Sequence, residues 1–132
     1  MESPKYEPSG TATPQIERRR YPRYPAQVQI ELQEKGKDVA LRMETTDLSR
    51  GGCYIQLVSA LQVGTYVNST LWIDGSPVRV RGRVVTRHPQ FGNGIMFLEF
   101  QDQGEQLLSR YLDAAARSDS ESKLFGVEKL RV

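Results

Sequence analysis

Little in this chain can do covalent chemistry. Among 132 residues there is one cysteine, Cys53, and one histidine, His88. A single cysteine excludes an internal disulfide. One cysteine with one histidine also leaves no zinc-ligand spacing. No Walker-type phosphate loop is present, and no apolar run approaches the roughly 20 residues of a membrane-spanning helix. The first residues, Met1-Glu2-Ser3-Pro4-Lys5, lack the apolar centre of a secretory signal. The expectation is a soluble, cytoplasmic protein with no membrane span. Hydrophobic residues reach only 38% and aromatics 8%, so the core must be modest. The net charge of +2 is too small for bulk association with nucleic acid, and no nucleic-acid partner is expected. His88 precedes a proline and lies far along the chain from Cys53 and Ser49, which leaves no nucleophile with a neighbouring base. Arginines flank Asp47, which makes it a poor proton donor. The chain does not read as an enzyme.

What the sequence does have is local. Four arginines, Arg18, Arg19, Arg20 and Arg23, fall within six positions just before the first strand-like run. Pro22 and Pro25 bias Tyr21 and Tyr24 toward extended backbone and oppose a helix. In an extended chain Arg19 and Arg23 share a side, roughly 13 Å apart at about 3.3 Å per residue. That spacing embraces a ligand instead of touching it at one point. A second stretch, Asp47-Leu48-Ser49-Arg50-Gly51-Gly52, supplies a carboxylate, a hydroxyl and a thin loop. A guanidinium matches a phosphate, and also the O6/N7 edge of guanine, with two parallel hydrogen bonds, and it can stack on a purine. Asp47 can accept from a guanine N–H edge, and Ser49 can donate or accept. Gly51 and Gly52 are expected to permit positive φ and close approach of a ligand to the backbone. These are the parts needed to hold a guanine nucleotide.

The body of the chain alternates with a period of two. Strands are expected at 27–32, 39–44, 53–58, 66–73, 78–85 and 95–100, with turns at 35–38 and 74–77 and a loop at 88–94. Six short strands in about 75 residues imply a mainly β fold, a small antiparallel barrel or sandwich. Gly82 within a strand fits a bend at a barrel corner. After Phe100 the period becomes helical, with Leu107, Leu108, Tyr111, Leu112 and Ala115 on one stripe. Asp102 and Glu105 have capping-box spacing for a helix at about 103–117. Residues 1–16, rich in proline, serine and threonine, read as a disordered lead, and 118–132 as a polar tail that could add an edge strand. Arg79, Arg81 and Arg83 read as a solvated strand face, Trp72 as a pocket-rim residue, and Cys53 as a small buried residue.

Arg19-Arg20-Tyr21-Pro22-Arg23 resembles the RxxxR motif of PilZ domains, and Asp47 to Gly52 resembles their D/N-x-S-x-x-G motif. Phe91-Gly92-Asn93-Gly94-Ile95-Met96-Phe97 is similar to the family's last-strand pattern. The resemblance spans 17–117. It implies a six-stranded antiparallel β-barrel with a C-terminal α-helix. It also implies a bacterial receptor for cyclic di-GMP, with Arg19, Arg23, Asp47, Ser49 and Gly52 at the ligand and Arg18 favouring a stacked ligand dimer. With Arg20 and Gly51 from the same two stretches, these are the candidate ligand-binding residues. No cofactor and no metal are expected. The arginine arm would order on ligand binding and the signal would pass to an unidentified protein partner. The rival readings are a PilZ-like adaptor that binds no nucleotide and a small barrel for single-stranded nucleic acid.

Overall fold

A computed structural model of the chain describes residues 21–124, with side chains described through residue 118. The proposed disordered lead, Arg18, Arg19, Arg20 and residues 125–132 lie outside the described residues. The elements run β1 (Tyr24–Pro25), β2 (Gln29–Glu34), β3 (Ala40–Leu48), β4 (Gly52–Gln56), β5 (Tyr66–Ile73), β6 (Ser76–His88), β7 (Gly92–Phe100) and α1 (Gly104–Leu124). Every strand pairing is antiparallel, in the order β1-β3-β2-β5-β6-β7-β4, and β4 returns to pair with β3. Six strands, β2 to β7, therefore close into a barrel, and the two residues of β1 pair with the end of β3 on the edge that β2 also uses.

Alternation builds the interior. Ile30 and Leu32 on β2, Val67, Leu71 and Ile73 on β5, Val78, Val80 and Val84 on β6, and Ile95 and Phe97 on β7 all point inward and are buried. The β5–β6 hairpin closes through Asp74-Gly75, both at positive φ (52° and 82°), the two-residue geometry that suits the right-handed twist of paired strands. At Gly82 the β6–β7 register shifts, and an added Cβ would lie 2.9 Å from both Ile95 Cγ2 and the Met96 carbonyl oxygen. The expected corner glycine is thus a point of close strand approach. One inward side chain is polar without a partner: the Ser69 hydroxyl is buried and makes no hydrogen bond among the described residues. Ser69→Ala removes that desolvated group and is expected to stabilise the barrel by about 1 kcal/mol. A thermal melt should show Tm higher by several degrees, and a lower Tm would mean that the hydroxyl is bonded in solution.

The helix docks Leu108 and Leu112 into the core, with Leu107 and Tyr111 packed alongside. It runs to Leu124 instead of ending near 117. Ser118–Ser122 is polar, but it holds no glycine or proline, so nothing in its backbone chemistry stops the helix. The capping box does not form. Asp102 sits at φ 54° in a turn, and the Leu107 N–H donates to the carbonyl of Gln103, the residue just before the helix. Two strand boundaries also differ from expectation. β3 continues through Asp47 to Leu48, and β6 continues to His88, so the expected breaks shrink to the short turns 49–51 and 89–91. Asn93, buried in β7, tightens the second region. It accepts from Leu61 N–H at 2.8 Å and donates to the carbonyls of Leu61 and Thr86.

Candidate functional site

Thr45 helps to fasten the arm to the barrel. Thr45 Oγ1 accepts from the Val28 N–H (3.1 Å) and donates to the Ala26 carbonyl (2.6 Å), and the Ala26 N–H donates to the Thr46 carbonyl (3.2 Å). These bonds fix the chain where it leaves the two prolines. The register then places Pro25 opposite Asp47 and Tyr24 opposite Leu48. As a result Arg23 Nη1 lies 3.9 Å from Asp47 Oδ2, so the two sequence motifs meet in space. The other carboxylate oxygen, Asp47 Oδ1, is buried and has no hydrogen-bond partner among the described residues.

Ser49 shapes the adjoining turn. Its Oγ accepts from the N–H groups of Gly51 and Gly52, each at 3.1 Å, and lies 3.3 Å from the Gly52 carbonyl, to which it donates. The Ser49 N–H also donates to that carbonyl at 2.8 Å. Its hydroxyl is thus satisfied within the turn, and Ser49 acts on the site by holding the loop's form. The expectation of positive φ at Gly51 and Gly52 is corrected, since neither residue adopts it. Gly52 is required by contact: an added Cβ would lie 2.1 Å from the carbonyl oxygen of Ile95 on β7. At Gly51 a Cβ would meet the ring of Tyr21 at 3.1 Å.

Beside this turn lies a cleft of about 510 Å³, within the range of small-molecule sites. Tyr21, Arg23, Arg50 and the backbone of Ser49–Gly52 form one wall. Val85, Met96 and Leu98 form an apolar floor, and Glu105 of α1 closes one end. The structure thus gathers Arg23, Ser49, Gly51 and Gly52 at this cleft, whereas Asp47 does not line it and meets it only through Arg23, 3.9 Å away. Arg50, Tyr21 and the floor were not candidates from sequence. A signal for the floor exists, because Ile95-Met96-Phe97-Leu98 is apolar at both parities, whereas a one-sided strand alternates. Trp72, 39% exposed, is one of the residues lining a second depression of similar volume. Its arginine, Arg42, is already paired with Glu31 at 3.5 Å, so that depression offers an anion less than the first.

The remaining singled-out residues lie elsewhere. Arg81 pairs with Glu99, and Arg83 lies over the ring of Tyr66 at 5.4 Å, as on a solvated face. His88 Nδ1 meets the Tyr54 hydroxyl at 2.9 Å. No cluster of metal-ligating side chains occurs among the described residues. Cys53 is buried, and its thiol is pushed up to about 12, first by burial and then by the Asp47 charge, with Arg23 opposing. The raised value means the folded chain holds this proton where the unfolded chain releases it. Cys53 therefore contributes stability at neutral pH that is lost as pH rises from about 9 toward 12. Comparing the parent with Cys53→Ala by urea unfolding at pH 8 and pH 10, the parent should lose about 1 kcal/mol more than the variant. Equal losses would show that the thiol is not shielded.

A six-stranded antiparallel barrel, with an arginine facing a D-x-S turn and a helix after the last strand, defines a class of small β-barrel domains. The PilZ domain family model matches residues 17–114, and the chain belongs to that family. Among solved structures, the Bacillus subtilis inhibitor of motility MotI/DgrA is similar, with TM-score 0.64 and 18% identity over 76% of this chain and 52% of that one. The chain thus spans about half the length of MotI. The PilZ domain of YcgR from Escherichia coli, solved with c-di-GMP, matches with TM-score 0.58 and 19% identity over 82% of this chain and 98% of that one. The PilZ domain of CeSA from a cellulose-synthesizing bacterium matches with TM-score 0.58 and 20% identity over 71% and 97%. At these identities the likeness establishes the fold. No curated protein matches the sequence significantly.

Proposed function

We propose that this chain is a bacterial, cytoplasmic receptor for cyclic di-GMP that works as an adaptor, passing the ligand's arrival to a protein partner, and is not an enzyme. The observation that carries the reading is the Asp47 carboxylate. Among the described residues one of its oxygens is buried without a donor, while Arg23, which lines a cleft with an apolar floor, stands 3.9 Å from the other. A buried acceptor without a donor costs about 1–3 kcal/mol, and a ligand N–H edge would relieve that cost. Guanine offers such an edge, an acceptor edge for arginine, and a flat face for Met96 and Leu98. The phosphates of the dinucleotide give the arginines their second target. The PilZ domain of YcgR carries c-di-GMP in its solved structure, and shared membership of the PilZ family supports carrying this ligand over to the present chain.

In this reading Arg23 is the arm residue already at the cleft, and Arg18, Arg19 and Arg20 join it when ligand binds. Ordering the arm changes the surface offered to the partner. Arg18 favours a stacked pair of ligands. The test is Asp47→Ala. The variant should fold at least as stably as the parent, because it removes the unpartnered oxygen, and should bind cyclic di-GMP at least tenfold more weakly. Circular dichroism checks the fold and calorimetry the affinity. A folded variant with parental affinity removes Asp47 from the site and takes this reading's main support with it.

A further inference from the structure

Arg50 sits inside the Ser49–Gly52 turn and faces two ways. Its side chain lines the large cleft, yet its Nη2 pairs with Asp113 Oδ1 of α1 at 2.5 Å. A smaller cleft of about 200 Å³ lies between the arm and the helix, lined by Tyr21, Pro22, Tyr24, Arg50, Leu112 and Asp113. Tyr21 and Arg50 belong to both clefts and so form the partition between them. The Arg50–Asp113 pair joins residues 63 positions apart and ties the candidate ligand turn to the helix. Its two side chains are 43% and 53% exposed, so water and salt weaken it and it can be exchanged at small cost. Asp113 directly follows Leu112, one of the two helix side chains in the core, so a change at Asp113 bears on how the helix is seated.

We propose that Arg50 is an exchange residue. In the ligand-free chain it holds Asp113, and when an anionic nucleotide enters the cleft it turns to a phosphate and releases Asp113. The guanidinium fork binds a phosphodiester at least as well as a single carboxylate oxygen, because two parallel N–H donors can engage two oxygens. Release of Asp113 frees the part of α1 beyond Leu112 from the ligand turn. Ligand binding is thereby coupled to the helix as well as to the arm. The inference rests on the receptor reading above and extends it to a residue and a direction of coupling.

Linkage supplies the test, because a contact that must break on binding opposes binding. With cyclic di-GMP as the probe, Asp113→Asn should bind two- to fivefold more tightly than the parent. Arg50→Ala should bind about tenfold more weakly. In the double variant the gain from Asp113→Asn should vanish, since there is no arginine left to release. Amide hydrogen exchange across residues 109–118 gives a second readout. Ligand should speed exchange there in the parent, and Asp113→Asn should show the faster exchange without ligand. Parental or weaker affinity in Asp113→Asn overturns the inference, as does a double variant that keeps the Asp113→Asn gain. Either result leaves the receptor reading intact provided the parent binds. A parent that binds no cyclic di-GMP ends both.

Discussion

Gly52→Ala is expected to destabilise the barrel by about 3 kcal/mol or more, a large effect for one methyl group. The added Cβ would lie 2.1 Å from the Ile95 carbonyl oxygen, 3.1 Å from the Ile95 carbonyl carbon and 3.3 Å from Met96 Cα. All three are backbone atoms of β7, which pairs with β4 through Gly52 and Met96. Relief therefore means moving a strand, since no side chain can turn aside. The neighbouring change is the control. At Gly51 the nearest atom is the Tyr21 ring at 3.1 Å, a side chain that can yield, so Gly51→Ala should cost less than about 1 kcal/mol. Urea unfolding of the two variants checks both values. A Gly52→Ala protein within 0.5 kcal/mol of the parent would mean that β4 and β7 lie farther apart than the structure places them.

Arg23→Ala should weaken cyclic di-GMP binding by about a hundredfold, close to 3 kcal/mol. Among the described residues, Arg23 is the motif arginine, and it lines the cleft. It stands beside Asp47, and its removal takes away both a fork for phosphate or guanine and the charge that faces the carboxylate. The fold should hardly respond. At 3.9 Å and with the arginine side chain 42% exposed, the Arg23–Asp47 pair is a loose surface ion pair, worth at most about 1 kcal/mol. The loss therefore reads on binding directly. Calorimetry on the variant, after a melt shows it folded, decides the matter, and affinity within twofold of the parent would remove Arg23 from the site.

The barrel was legible because its signals are local. Ile30 and Leu32, Val67 and Leu71, and Val78 and Val80 each alternate with polar residues, and Asp74-Gly75 marks a hairpin. The helix stripe was legible for the same reason. Its C-terminal end was not, because Ser118–Ser122 lowers helix propensity without breaking the backbone. The pairing of the two motifs could be read from residue types, and the structure brings Arg23 to Asp47. The physical role of Gly52 was misread. A glycine needed for strand approach looks the same in sequence as one needed for positive φ, and only the position of the Ile95 carbonyl separates them. Arg50 escaped notice because its partner, Asp113, lies on a helix 63 residues later, and no local pattern encodes such a contact. The cleft floor left one local trace, the run Ile95-Met96-Phe97-Leu98 that is apolar at both parities, but that trace does not say what the outer residues face. Met96 and Leu98 read as ordinary strand residues until the closed barrel shows that they face outward, beside the Ser49–Gly52 turn.

The most direct test of the central claim is calorimetric titration of the purified chain with cyclic di-GMP, with GTP and cyclic di-AMP as controls. Saturable binding of cyclic di-GMP, with neither control binding comparably, is the predicted result, and a stoichiometry of two ligands per chain would agree with the role given to Arg18. A folded sample that gives no heat of binding with cyclic di-GMP would contradict the receptor reading. It would leave a PilZ barrel that acts through protein contact alone.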